Sequence, residues 1–287
     1  MNSGKHWYER SLVALAIGLG WSLPMLAQES SPASSSPTNS APASPNPQGE
    51  ASLTETHPWL ETAPEGLSQL AKLGRVRIGI DDERLRRARK QALTFFRIHA
   101  ETKYQYKVGD PRLDEEDKDR MKARVRAKVR IPEMHLSHDL YFMSWMQPRE
   151  PWSDPLVLHE FDHVSISTDP RLRQIILRVL TAPLECWARW PRGERATNES
   201  IQEAVNAAMN DRIVELERLV QTQYDALDRQ SRDGRETIPD REPFFLQLYG
   251  LDSMRNCGFT FIDEMKGMIQ EKPSKEVREH YDLLTTP

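Results

Sequence analysis

His159, Glu160 and His163 form the pattern His-Glu-x-x-His within Leu156-Val157-Leu158-His159-Glu160-Phe161-Asp162-His163. Residues four apart share one face of a helix, so both imidazoles can reach a single metal ion. Zinc held this way lowers the pKa of its water. A carboxylate beside the first histidine can then take that proton as a carbonyl is attacked. These residue types at this spacing point to zinc-dependent peptide hydrolysis, with His159 and His163 as Zn2+ ligands and Glu160 as general base. Val157, Phe161 and Val164 fall on the opposite face and are expected in the core.

A zinc peptidase takes three protein ligands and keeps one position open. Three acidic side chains could complete the set. Asp169 follows His163 by six residues, but that geometry needs a sharp turn at Ile166, which resists left-handed backbone angles. Glu185 follows His163 by 22 residues and is read on the next helix. Asp233 stands just past a long helix, next to Gly234, which frees the backbone to aim a carboxylate.

The elements that must position these groups are readable in outline. Arg75–Ile80 alternates as a strand, and Asp81–Ala92 favours a helix. Thr94–Val108 is β-rich and ends at the turn Gly109-Asp110-Pro111. Arg124–Ile131 alternates at period two, and Pro132 is expected to end it. Asp139–Trp145 is the strand nearest the zinc helix in sequence, so it is nominated as the edge that pairs with substrate. His135 and His138 then fall in a loop before it. Ser153-Asp154-Pro155 caps the motif helix, Asp169-Pro170 opens a second, and Asn198–Arg229 reads as a long amphipathic third. Shorter helices are expected at Phe244–Met254 and Lys275–Leu284. Strands first and helices later give an α+β domain. Tyr224 and Tyr249 are candidates for oxyanion stabilisation, with a core role as the simpler reading.

Outside the domain, Lys5 and Arg10 precede the apolar run Leu12–Leu26, and Ala27 stands before polar Gln28 and Glu29. This is the shape of a secretory signal peptide over residues 1–27, with an uncleaved anchor as the alternative. Residues 28–56 are Ser-, Pro- and Ala-rich and read as a flexible linker, leaving 57–287 as one domain. The expected location is therefore periplasmic or extracellular, with no stable membrane domain after cleavage. Formal net charge is −4 and the pI near 6.1, a balance that gives no reason to expect nucleic acid as a partner. Cys186 and Cys257 could form one disulfide or remain two buried thiols.

Several of these features resemble the bacterial family described as predicted secreted zinc-dependent proteases, domain of unknown function 922. In that family, strands lead through a proline into the His-Glu-x-x-His helix, and an aliphatic residue stands where Ile166 does. A long helix then ends in a pattern like Tyr-Asp-x-Glu-Thr-x-His-Gly. Here that stretch is Leu227-Asp228-Arg229-Gln230-Ser231-Arg232-Asp233-Gly234, with Asp233 in the histidine's place. The resemblance covers roughly Lys103 to Gly234. It implies a zincin-like fold, a peptide or protein substrate, and Asp233 as third zinc ligand. Two other readings stand beside it: a non-catalytic zincin-like binding module, and an anchored envelope scaffold.

Overall fold

In the computed structural model the described residues are 7–12, 57–146, 150–238, 240–269 and 273–283. In chain order the elements are β1 (Trp7–Leu12), α1 (Pro58–Glu61), α2 (Glu65–Leu73), β2 (Val76–Ile80), α3 (Asp82–Ala88), β3 (Ala92–Val108), β4 (Arg112–Leu113) and β5 (Arg120–Phe142). A 3₁₀ turn, Pro151–Ser153, leads into α4 (Pro155–Ser167) and α5 (Pro170–Thr181). Then come β6 (Leu184–Pro191), α6 (Asn198–Ser231), α7 (Arg241–Gln247), α8 (Leu251–Asn256), α9 (Ile262–Met265) and α10 (Lys275–Asp282). The architecture is α+β, as expected. β1 falls inside the stretch read as a signal peptide. The remainder of residues 1–27 and the linker 28–56 lie outside the described residues.

The sheet is organised by one long strand. β5 pairs antiparallel with β3 along most of its length. On its other side β6 takes the first half antiparallel and β2 the second half parallel. Along β3 and β5 buried and exposed residues alternate, so the inner face packs on helices while the outer face carries charge. Pro132 does not end the strand. The register shifts between Glu101 and Lys103, so Ile131 and Pro132 stand opposite the single residue Thr102. A bulge absorbs the proline, which has no amide proton to give the ladder. His135 and His138 are consequently strand residues rather than loop residues.

Two corrections follow from the same pairing. Asp139–Phe142 is not an edge: it lies between β2 and β3. The strand with a free edge is β3, whose residues 92–99 pair with β5 alone among the described residues. Glu185 is on β6, a strand whose alternation Leu184, Ala188 and Trp190 buries one face. It ion-pairs with Arg124 and Arg126 on β5, away from the histidines.

α4 is built to hold its motif still. Asp154 accepts hydrogen bonds from the amides of Leu156 (2.9 Å) and Val157 (3.2 Å), and Pro155 fills the first turn where no donor is needed. Val157, Phe161 and Val164 are fully buried against β2, β5 and α2, as expected for the face opposite the motif. Truncating Phe161 to Ala would cost about 3–5 kcal/mol at such a site. Asp162 is anchored to Arg241 of α7 by a two-pronged ion pair. α5, α6, β6 and the C-terminal helices fill the second core, on the inner face of β3 and β5. Cys186 and Cys257 are both free thiols. No helix among the described residues is long and apolar enough to cross a membrane.

A buried polar chain locks α4 to its neighbours. Tyr224 donates to Ser167 Oγ at 2.9 Å, and Ser167 also contacts His138 Nε2. His138 Nδ1 donates in turn to the Gly74 carbonyl at 2.6 Å. A side chain at Gly74 would put a Cβ 2.8 Å from both His138 and Val164, so only glycine lets the α2–β2 turn come this close. Burial lowers the His138 pKa to about 4, against an ordinary value of 6.5. Its proton is therefore bound by the unfolded chain and refused by the folded one between those values. The stability this neutral histidine gives is whole above pH 6.5 and drains as pH falls toward 4. The expected loss is about 3 kcal/mol, since each pKa unit is worth about 1.4 kcal/mol. Urea melts of the parent and His138→Gln across that range would show it, and equal pH slopes would refute it.

Candidate metal centre

The motif helix presents His159 and His163 to α6, and α6 answers with Asp228. A single oxygen of that carboxylate, Oδ1, lies 3.0 Å from His159 Nε2 and 3.1 Å from His163 Nε2. Both imidazoles are buried, 5% and 6% exposed, and Asp228 is half-buried. Donors about 2.0–2.1 Å from a zinc ion stand roughly 3.3 Å apart in a tetrahedron, close to this spacing. The set His159, His163 and Asp228 is the only such group of potential ligands among the described residues.

Their hydrogen bonds show how well the group suits a cation. Ser231, one turn beyond Asp228 on α6, gives its proton to the Leu227 carbonyl at 2.9 Å. Its oxygen is left to accept from His159 Nδ1 at 3.3 Å. That fixes the Nδ1–H tautomer and turns the Nε2 lone pair toward Asp228 Oδ1. Two acceptors then face each other, which either a proton or a metal ion between them resolves. His163 Nδ1 has no partner at all, so the only polar contact of this buried ring is the one at Asp228. Its face packs on Tyr224, with ring centroids 4.4 Å apart. Burial alone would lower the His159 pKa, but the Asp228 bond and the adjacent carboxylates outweigh it and the net shift is upward. Asp228 resists its own partial burial. The two histidines and Lys90 hold its carboxyl far below the usual carboxylate range.

Glu160 lies beside this group, 4% exposed, where Thr94 of β3 donates to its Oε2 at 2.6 Å. The other carboxylate oxygen takes no hydrogen bond among the described residues. All four groups open on one cavity of about 1090 Å³, between the β3 edge, the end of α3 and the face of α6.

The expected third ligand is corrected here. Asp233 is exposed and paired with Lys90, whose Nζ also lies 3.3 Å from Asp228 Oδ2. The reason is the chain's path beyond α6. Arg232, Asp233 and Gly234 all take left-handed backbone angles, with φ of 50°, 56° and 76°. This tight turn brings the Gly234 backbone, not the Asp233 carboxylate, against His159. A Cβ on Gly234 would sit 2.8 Å from His159 Cβ. Asp169 is fully buried but used elsewhere: it caps α5, pairs with Arg171 and accepts from Tyr281 at 2.6 Å. Tyr224 and Tyr249 donate to Ser167 and to the Ile166 carbonyl, so each holds α4 rather than opening on the cavity through its hydroxyl.

Asp228, Ser231, Thr94 and Lys90 were not among the expected site residues. For the α6 pair there was a signal: Tyr224, Asp228 and Ser231 fall at i, i+4 and i+7, a polar stripe flanked by the apolar Val220 and Leu227. Replacing Ser231 by Ala should weaken metal binding by about 10–100-fold, the usual effect of losing a ligand's orienting partner. Isothermal titration with Zn2+ would read this, and unchanged affinity would remove Ser231 from the site. Compared with family models, with characterised proteins and with solved structures, the chain finds no match in any of the three.

Proposed function

We propose that this chain is a zinc-dependent peptidase of zincin-like build, holding Zn2+ through His159, His163 and Asp228. The observation that carries this reading is the convergence of two buried imidazole nitrogens on one carboxylate oxygen, with Glu160 alongside. When bound, zinc supplies a Lewis acid and an activated water. The remaining work falls to the side chains. Glu160 is the proton acceptor, held by Thr94 through one oxygen so that the other faces the cavity. Lys90 engages the outer oxygen of Asp228 and leaves Oδ1 for the metal. Ser231 fixes the His159 tautomer, and Tyr224 walls the His163 ring. The free edge of β3 offers backbone donors and acceptors on which an extended peptide can lie beside Glu160.

The motif likeness to the domain of unknown function 922 family supports the same reading, with Asp228 in the ligand role that the likeness gave to Asp233. The N-terminal pattern of Lys5, Arg10 and the apolar run supports an exported protein.

The full chain should bind about one Zn2+ per molecule, as two imidazoles and a carboxylate require. Metal analysis after dialysis should find it, and the His159→Ala variant should carry none. Chelator treatment should abolish hydrolysis of an unstructured protein such as casein, and added Zn2+ should restore it. Equal zinc content in parent and His159→Ala would overturn the metal site. Stoichiometric zinc without any hydrolysis would move the chain to the binding-module reading.

A further inference from the structure

The charges around the cavity are not evenly spread. At the end where α3 meets β3 and α6 terminates, Arg89, Arg229 and Arg235 line the wall. All three are exposed, and none has an acidic partner among the described residues. Their basic neighbours are already satisfied: Arg87 pairs with Glu83, Arg232 with Glu236, and Lys90 with Asp228 and Asp233. The cavity's other outlying acid is at the far end. Glu217 precedes Asp228 by 11 residues on α6, about 16 Å along the axis.

Three guanidinium groups without counter-charges beside a peptide-sized cleft can receive planar anions through paired N–H donors. They also lie at a defined point along the substrate path. Arg89 stands three residues before Ala92, where the free β3 edge begins. A peptide added antiparallel to β3, the stronger of the two ladders, would run its C-terminal half toward this end.

The geometry points to a carboxylate subsite formed by Arg89, Arg229 and Arg235, selecting peptides with acidic side chains or a free C-terminus on the C-terminal side of the bond presented to Glu160. This deepens the peptidase reading and rests on it for the identity of the ligand as a peptide. Free C-termini and acidic side chains offer the same chemistry, so the test carries an arm for each.

The experiment uses the full-length Glu160→Gln protein without added metal, so that binding is read in the absence of turnover. Four short fluorescein-labelled peptides of otherwise identical sequence are compared: neutral and amidated, two Glu and amidated, two Lys and amidated, and neutral with a free C-terminus. Fluorescence anisotropy at low salt should show the Glu peptide or the free-carboxylate peptide binding about tenfold tighter than the neutral amide, as two exposed ion pairs would give. The Lys peptide should be the weakest. High salt and the added Arg229→Gln/Arg235→Gln pair should each erase the gap, and Arg89→Gln should narrow it. A gap with only one of the two anionic peptides identifies the source of the carboxylate. Equal affinity across all four peptides, including no measurable binding of any, overturns the subsite. So does a gap that survives the arginine substitutions in proteins with parental circular dichroism. Failure of the peptidase reading would appear separately, as absent zinc or absent hydrolysis in the parent chain.

Discussion

Replacing Glu160 by Gln should cut peptide hydrolysis by about 10²–10⁴-fold, the range for loss of a general base, while zinc content stays at the parental level. The geometry makes this a clean substitution. Thr94 donates to Glu160 Oε2 at 2.6 Å, and a glutamine carbonyl can accept the same bond. The amide then stands where the second carboxylate oxygen stood, with the same size and no capacity to take a proton. Glu160 makes no contact with the metal-ligand atoms among the hydrogen bonds of the site, so the pair His159 and His163 should be undisturbed. Steady-state hydrolysis and metal analysis on the same preparation decide the matter. Parental turnover with full zinc would remove Glu160 as the base. Loss of zinc would mean that the carboxylate stabilises the metal site rather than the reaction.

The fold was legible wherever local chemistry and burial agree. The helices at Pro155–Ser167, Pro170–Thr181 and Asn198–Ser231 begin at side-chain caps that the sequence displays: Asp154, Asp169 and Thr197. The alternation in β3 and β5 shows because only one face of each strand is buried. What failed depended on partners distant in sequence. Pro132 reads as a stop, because the bulge that accommodates it is made with Thr102 on β3. Asp139–Trp145 reads as the edge nearest the motif, yet β2 returns 62 residues earlier in the chain to cover Asp139–Phe142. Glu185 was read onto a helix because helices surround it. Its own segment alternates, and the outward side chains of β6 find Arg124 and Arg126 on a strand some 60 residues away.

The site was legible to the same degree. His159, Glu160 and His163 are fixed to one another by helix geometry alone, so their spacing carries the information. The third carboxylate is fixed by how α6 crosses α4, which no local pattern encodes. The choice among acids near the end of α6 turned on the likeness of Asp233-Gly234 to a family motif. The left-handed turn there redirects the chain after Ser231, and it is the last full turn of the helix that faces the histidines.

Asp228→Ala should therefore lower zinc affinity by more than the roughly 100-fold that loss of an orienting partner can cost, because it removes a donor from the ligand set itself. Its Oδ1 is the one oxygen within 3.0–3.1 Å of both Nε2 atoms. The loss should also be felt without metal. Asp228 is what holds the buried His159 pKa up against desolvation, so the variant should leave that ring neutral at neutral pH. Asp233→Asn is the matched control. It deletes an exposed carboxylate whose partner is Lys90, and its zinc affinity should stay within about threefold of the parent, as exposed ion pairs contribute little. Competition with a fluorescent chelator reads both variants on one scale, and NMR of the histidine ring protons reads the pKa change. The reverse pattern, with Asp233→Asn stripping zinc and Asp228→Ala retaining it, would return the third position to Asp233. It would also require the turn at Arg232–Gly234 to rearrange on metal binding. Retention of tight zinc by both variants would mean that neither carboxylate is a ligand, and that His159 and His163 hold the ion with water alone.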